Sequence, residues 1–340
     1  MDIIDKYPEL PWNWDELSKS SNITIEFIKK HKNWNWYYIS FNSAITTKDI
    51  ENNPDLQWEW KYGISKNPNI TMEFIKKYID KNWNWKSISR NPAITIDIIE
   101  NNPDLPWDWY WGVSSNPNIT IDFIKKYSNK NWYWYTISKS ILITIDIIEN
   151  NPDLPWNWSL GVSSNPNITI DFIKKYKNKP WNWSNLSKNP AITMDNIENN
   201  MDLPWNYYEI SLNLNITIDF IKKYPYKNWN WNCISQNRVI TMNIIENNPD
   251  LPWAWGYYGV SENPNITFEF IEKYPDKKWD WDSISINSNV MFDTFDPSYS
   301  YNENEYRILS RSIFHIQFKQ LINKLNLPDD IISNIKKYII

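Results

Sequence analysis

Apolar and polar positions in this chain recur as a block. Each block carries a Trp-x-Trp pair, its first Trp falling at Trp12, Trp34, Trp58, Trp83, Trp107, Trp132, Trp156, Trp181, Trp205, Trp229, Trp253 and Trp279. Most successive pairs lie 24 or 25 residues apart, and Tyr207 replaces the second Trp after Trp205. Two kinds of block alternate. Asn116 to Tyr127 reads Asn-Pro-Asn-Ile-Thr-Ile-Asp-Phe-Ile-Lys-Lys-Tyr, whereas Asn91 to Trp107 reads Asn-Pro-Ala-Ile-Thr-Ile-Asp-Ile-Ile-Glu-Asn-Asn-Pro-Asp-Leu-Pro-Trp. A fixed period of this length marks an architecture of stacked repeats.

Within a block the pattern predicts two short helices. Thr120 suits an N-cap, because its hydroxyl can accept from an orphan amide one turn on. Asp122 follows in the first turn, where negative charge opposes the helix dipole. Ile121, Phe123, Ile124 and Tyr127 then fall at helical spacing. The residue between the paired Trps is often Asn or Asp, as at Asn35, Asp108, Asn157 and Asn182, which suits a second cap. The Ser-x-Asn-Pro that follows ends the second helix. Trp-x-Trp alternation and the many β-branched residues also fit strands, but two Pro-bounded turns per block and the capping signals favour helices. The expectation is an all-α tandem helix-turn-helix solenoid of about twelve units of 24 or 25 residues, closed by a C-terminal helical cap. Its domains are the repeats over 1–286, a degenerate repeat and linker over 287–304, and a helical cap or tail over 305–340.

Helices of about eight residues are marginal alone, so neighbouring blocks must bury one another's apolar faces. Each buried aromatic hides roughly 150–250 Å², about 4–6 kcal/mol gross at ~25 cal/mol per Å². The Trp pair is therefore predicted to be core. Lys76, Lys125 and Lys174 occupy the motif position of Glu51, Glu100 and Glu149, so adjacent blocks are expected to pair opposite charges. The glycines, among them Gly63, Gly112 and Gly161, fall just after the Trp pairs.

Composition sharpens this picture at a few points. The chain has 340 residues with 24 Trp, 21 Tyr and 5 Gly, and a formal net charge of -5. That acidic balance speaks against a broad phosphate-binding surface and hence against a nucleic-acid partner. Cys233 is the single cysteine, which rules out an intrachain disulfide and suits a reducing, cytoplasmic compartment. The opening residues already read as a repeat, so no signal peptide is expected, and no apolar run approaches membrane-spanning length. The Asn-Ile-Thr triplets, as at Asn118 and Asn167, then read as turn and cap residues rather than glycosylation sites. His31 and His315 belong to no metal-binding or triad spacing. No phosphate loop is present, and the repeated acids sit at helix starts. The expectation is a non-enzyme without catalytic, metal or cofactor-binding residues.

Candidate binding residues come from comparing blocks. Positions that repeat are scaffold, and positions that vary can read a ligand. The third and fourth residues after the first Trp vary most, and several are aromatic: Tyr37, Tyr38, Tyr62, Tyr110, Trp111, Tyr135 and Tyr208. Such rings offer large contact area with a polar handle, as protein interfaces use. A glycan-binding aromatic surface is the other use of the same rings.

Asn-Pro-Asn-Ile-Thr-Ile-Asp-Phe-Ile, Pro-Trp-Asn-Trp and Val-Ser-Ser-Asn-Pro together resemble the Trp-rich tandem-repeat proteins of giant nucleocytoplasmic DNA viruses. The resemblance covers residues 1 to about 286. It implies a viral protein acting in an infected host cell or carried in a particle, and it implies no catalytic role. The last stretch, Leu327-Pro-Asp-Asp-Ile-Ile-Ser-Asn-Ile-Lys-Lys-Tyr-Ile339, resembles the opening helix of an F-box. On that likeness Leu327, Pro328, Ile331, Ile335 and Tyr338 would dock a ubiquitin-ligase linker subunit, making the protein a substrate adaptor. The sequence departs from the F-box pattern in having only Ile340 after this helix, and a capping helix would use the same residues. Scaffold and adaptor both remain open at this point.

Overall fold

The computed structural model describes residues 14–280, together with 283, 284 and 287. Among these residues the regular elements are all helical and no strand occurs. The chain divides into two compact units, whose described parts are 14–137 and 138–287. Each is a stack of tandem helical repeats, the solenoid class that the caps and Pro breaks predict.

The first helix of a repeat is short and tightly capped. Thr120 precedes Ile121–Lys126, and its Oγ1 accepts from the Phe123 amide at 3.3 Å. Thr71, Thr169, Thr217 and Thr267 act alike on Phe74, Phe172, Phe220 and Phe270. Phe123 and Ile124 are buried, while Asp122 and the closing lysines face water. The Asn between the Trps caps the second helix: Asn35 Oδ1 accepts from the Tyr37 and Tyr38 amides ahead of Trp36–Phe41. These helices run only four to six residues, shorter than expected, so packing between repeats must hold them.

Repeats with an extra glycine depart from the two-helix plan. Their second element is a single 3-10 turn, at Ile64–Lys66, Val113–Ser115, Val162–Ser164 and Val260–Glu262. Glycine is required by close approach of the neighbouring repeat. A Cβ on Gly63 would lie 2.5 Å from Ser40 Cβ, and one on Gly112 2.5 Å from Ser89 Cβ.

Two polar ladders tie each repeat to the one before it. In the first unit, Ser18, Ser40, Ser65, Ser89 and Ser114 accept through Oγ from the amides of Asn35, Glu59, Asn84, Asp108 and Tyr133, at 2.8–3.0 Å. In the second unit, Ser138, Ser163, Ser187, Ser211, Ser235 and Ser261 treat Asn157, Asn182, Asn206, Asn230, Ala254 and Asp280 alike. The second ladder is the Asn of Asn-Pro. Asn116 Nδ2 donates to the carbonyls of Ser89, Asn91 and Ile94 at 2.8, 3.2 and 2.9 Å, and its Oδ1 accepts from the Asn118 amide. Breaking the chain between short helices strands carbonyls in the interior, and a buried carbonyl without a partner is costly. The Asn of the next repeat supplies the missing donor. Asn118 and Asn167, read above as turn residues, also bridge repeats, donating to Ile94 and Ile143 carbonyls at 3.1 Å.

The Trp pair splits into two roles. The first Trp is buried at most positions, with its Nε1 donating to a carbonyl of its own repeat, as from Trp107 to Asn102 and from Trp156 to Asn151 at 2.8 Å. The second Trp is half-buried and meets the first Trp of the next repeat edge-on, as Trp85 meets Trp107 at 5.5 Å and 87°. The charge pairing between repeats exists, but one residue along from the expected lysines. Lys77, Lys126 and Lys175, not Lys76, Lys125 and Lys174, reach Glu51, Glu100 and Glu149 at 2.7–2.8 Å. One helical residue turns the side chain by about 100°, which swings the preceding lysine away from the neighbour. The bond to glutamate raises the Lys126 ammonium above its ordinary pKa.

Candidate aromatic interface

The second Trp looks like a ligand platform but is already occupied. Trp109 stacks on Phe123 at 5.9 Å and 15°, meets Trp132 edge-on at 5.4 Å, and carries the Lys130 ammonium over its ring at 4.9 Å. Trp60, Trp158 and Trp255 sit in the same box under Lys81, Lys179 and Lys277. The chain's own lysines cap these rings by cation–π attraction.

Rings exposed to solvent lie instead at the variable positions in and just ahead of the second helices and 3-10 turns. Tyr62 is 47% exposed, Trp111 45% and Tyr208 50%. Tyr37, Tyr38, Tyr110 and Tyr135 are half-buried. The fold brings most of them together in groups. Tyr37 packs against Tyr38 and Phe41, and its hydroxyl accepts from Lys66 Nζ at 2.8 Å. The Lys19 ammonium lies 4.4 Å from the Tyr38 ring centre. Tyr110 and Trp111 meet at 4.9 Å and 87°. Tyr208 lies in the second unit and joins neither group. Leu327, Pro328, Ile331, Ile335 and Tyr338 lie outside the described residues.

Each unit adds rings beyond the residues expected. Tyr133 contacts both Tyr110 and Trp111 at 4.6 Å and Tyr135 at 5.6 Å, joining two repeats into one aromatic group. Lys86 stands over Trp111 at 4.7 Å. Tyr133 sits between Trp132 and Trp134, where its counterparts Asn84 and Asn182 cap a helix. A ring there gives up a cap worth about 1 kcal/mol, and that broken rule was the available signal. In the second unit Tyr257 and Tyr258 are 62% and 51% exposed, with their hydroxyls 2.9 Å apart. That hydrogen bond raises the Tyr257 hydroxyl above its ordinary pKa. Tyr258 holds a left-handed φ of 57°, a conformation that costs a bulky residue roughly 1–2 kcal/mol. Strain of this kind on an exposed ring fits a surface kept for contact.

Among the described residues no group of three or more His, Cys, Asp and Glu is placed to hold a metal, and no helix is long and apolar enough to cross a membrane. Cys233 is half-buried beside the Asn230 amide, and burial pushes its thiol up, away from the reactive thiolate. No family, curated protein or solved structure matches the chain.

Proposed function

We propose that the protein is a non-catalytic repeat scaffold that binds a protein partner across the aromatic face of its second helices. One observation carries this reading. Positions that recur in the repeats — Ser, the Asn of Asn-Pro, and the first Trp through its edge-on contact with the preceding repeat — are spent on holding one repeat to the next. Positions that vary surface as exposed rings at Tyr62 and Trp111 in the first unit and Tyr208 in the second. Interfaces use Tyr and Trp in this way, as rigid area with a polar handle. In line with the likeness to the Trp-rich repeats of giant DNA viruses, the partner is a host or viral protein.

The test is the double change Tyr110→Ser with Trp111→Ser in the full chain. Capture of the partner from expressing cells should be lost while the thermal melt stays nearly intact. Undiminished capture would refute the reading, and so would collapse of the fold, because the rings would then be structural.

A further inference from the structure

The two units share their ladders but not the chemistry of their variable face. From the second to the sixth Trp-x-Trp repeat, the outward positions of the second elements carry Lys61, Lys66, Lys86 and Arg90 among Tyr37, Tyr38, Tyr62, Tyr110, Trp111 and Tyr135. The acids near them are spent on backbone. Glu59 accepts from the Lys61, Tyr62 and Gly63 amides, and Asp108 from the Trp111 and Gly112 amides. Cations and rings interleave: Lys61 over Tyr62 at 5.0 Å, Lys66 over Tyr37 at 4.9 Å, Lys86 over Trp111 at 4.7 Å. The second unit has Ser159, Leu160, Ser184, Asn185, Asn232 and Cys233 at these positions beside the rings of Tyr208 and Tyr257; of its cations here, Lys139 stands at its edge and Lys188 is neutralised by Glu209 at 3.0 Å. In a chain of net charge -5, the cations that stand among the rings of this face are thus more numerous in the first unit.

We infer that the face of the first unit docks an acidic, extended peptide segment of its partner. This rests on the scaffold reading above and names the partner's chemistry. The cations set the sign of the ligand, and the rings supply contact for the apolar side chains interspersed in it. A single-stranded nucleic acid would share the charge, but it needs open ring faces on which bases stack. Here Trp111 has Lys86 on its face and meets Tyr110 and Tyr133 at steep angles of 87° and 65°, a relief suited to side chains rather than flat bases.

The experiment is selection from a random peptide display library on the intact protein, followed by affinity measurement of the selected peptides. The variants are Lys86→Glu with Arg90→Glu in the first unit, and Tyr110→Ser with Trp111→Ser. A fluorescent oligothymidylate is measured in parallel. Selected peptides should be rich in Asp and Glu and should weaken about tenfold or more with the charge reversal. They should also weaken with rising salt and be lost with the ring variant. Peptides without acidic bias that still need the rings would overturn the inference and leave the scaffold reading standing. Peptides that need neither, or no selected peptide at all, would overturn both. Tighter binding of the oligothymidylate, lost with the same charge reversal, would overturn the inference in favour of nucleic acid. Circular dichroism of both variants should match the parent, since all four positions lie on the surface or in its half-buried rim.

Discussion

Replacing Asn165 tests the asparagine ladder where its bonds are best defined. The side chain is 1% exposed. Its Nδ2 donates to the carbonyls of Ser138, Ser140 and Ile143 at 2.9, 3.1 and 2.9 Å, and its Oδ1 accepts from the Asn167 amide at 2.8 Å. Removing it does not strand all of these groups. The Ser140 carbonyl keeps the Ile143 amide at 3.0 Å, and the Ile143 carbonyl keeps the Asn167 side chain at 3.1 Å. The Ser138 carbonyl and the Asn167 amide lose their partner. At about 1–3 kcal/mol for each stranded group, Asn165→Ala should cost roughly 2–6 kcal/mol. Asn165→Asp keeps the shape and the acceptor but turns an oxygen toward carbonyls. Only the protonated acid can donate there, so folding raises the carboxyl above its ordinary ~3.9. A group raised in the folded state contributes stability at low pH and loses it as pH climbs toward the folded value. The Asp variant should therefore be least impaired near pH 5 and most impaired near pH 7, by about these estimates. Urea melts of parent and both variants at the two pH values measure this. A loss below about 0.5 kcal/mol for the Ala variant, or an Asp deficit that grows toward acid, would refute the ladder as an energetic device.

Three further outcomes follow from the packing. Trp156→Ala, which removes a 5% exposed ring and its bond to the Asn151 carbonyl, should cost about 3–5 kcal/mol, and Trp158→Ala roughly half as much; equal losses in denaturant melts would contradict the split between the two Trps. Gly112→Ala forces a Cβ to 2.5 Å from Ser89 Cβ and 2.7 Å from the Asp108 carbonyl, so its urea midpoint should drop by the equivalent of about 1–3 kcal/mol. Tyr133→Asn gains a cap worth about 1 kcal/mol and loses ring contacts of about that size, so its melt should barely move while capture of the partner weakens.

The helical repeat was legible because its signals are local. Thr120 and Asn35 cap as their positions imply, since a cap reads only the next turn. The ladders were half legible. Ser89 and Asn116 recur with the period, but each also makes sense as a helix-ending residue, and their partners lie 19 to 27 residues away. Nothing local says that such a residue reaches into the next repeat. The ion pairs were placed one residue off for a similar reason: equivalent motif positions are not facing positions, and the helix phase selects Lys126 over Lys125. The glycine positions were visible, but the close approach that makes them necessary belongs to the neighbouring repeat. On the candidate interface, variability between repeats picked out Trp111 and Tyr62, whereas Tyr133 hid at a position assigned to capping.

The alternation of ion pairs gives the stack a parity, which the glycines follow in part. Glutamate-bearing repeats lend Glu51, Glu100 and Glu149 to the lysine-bearing repeats that follow them, and Gly63 and Gly112 sit where the serine of the preceding repeat presses closest. Loss of a single repeat would set lysine beside lysine or glutamate beside glutamate. Gain or loss of two leaves every partner in phase. In its ion pairs the chain therefore behaves as a polymer whose monomer is a pair, and duplication keeps every lysine opposite a glutamate only in even steps.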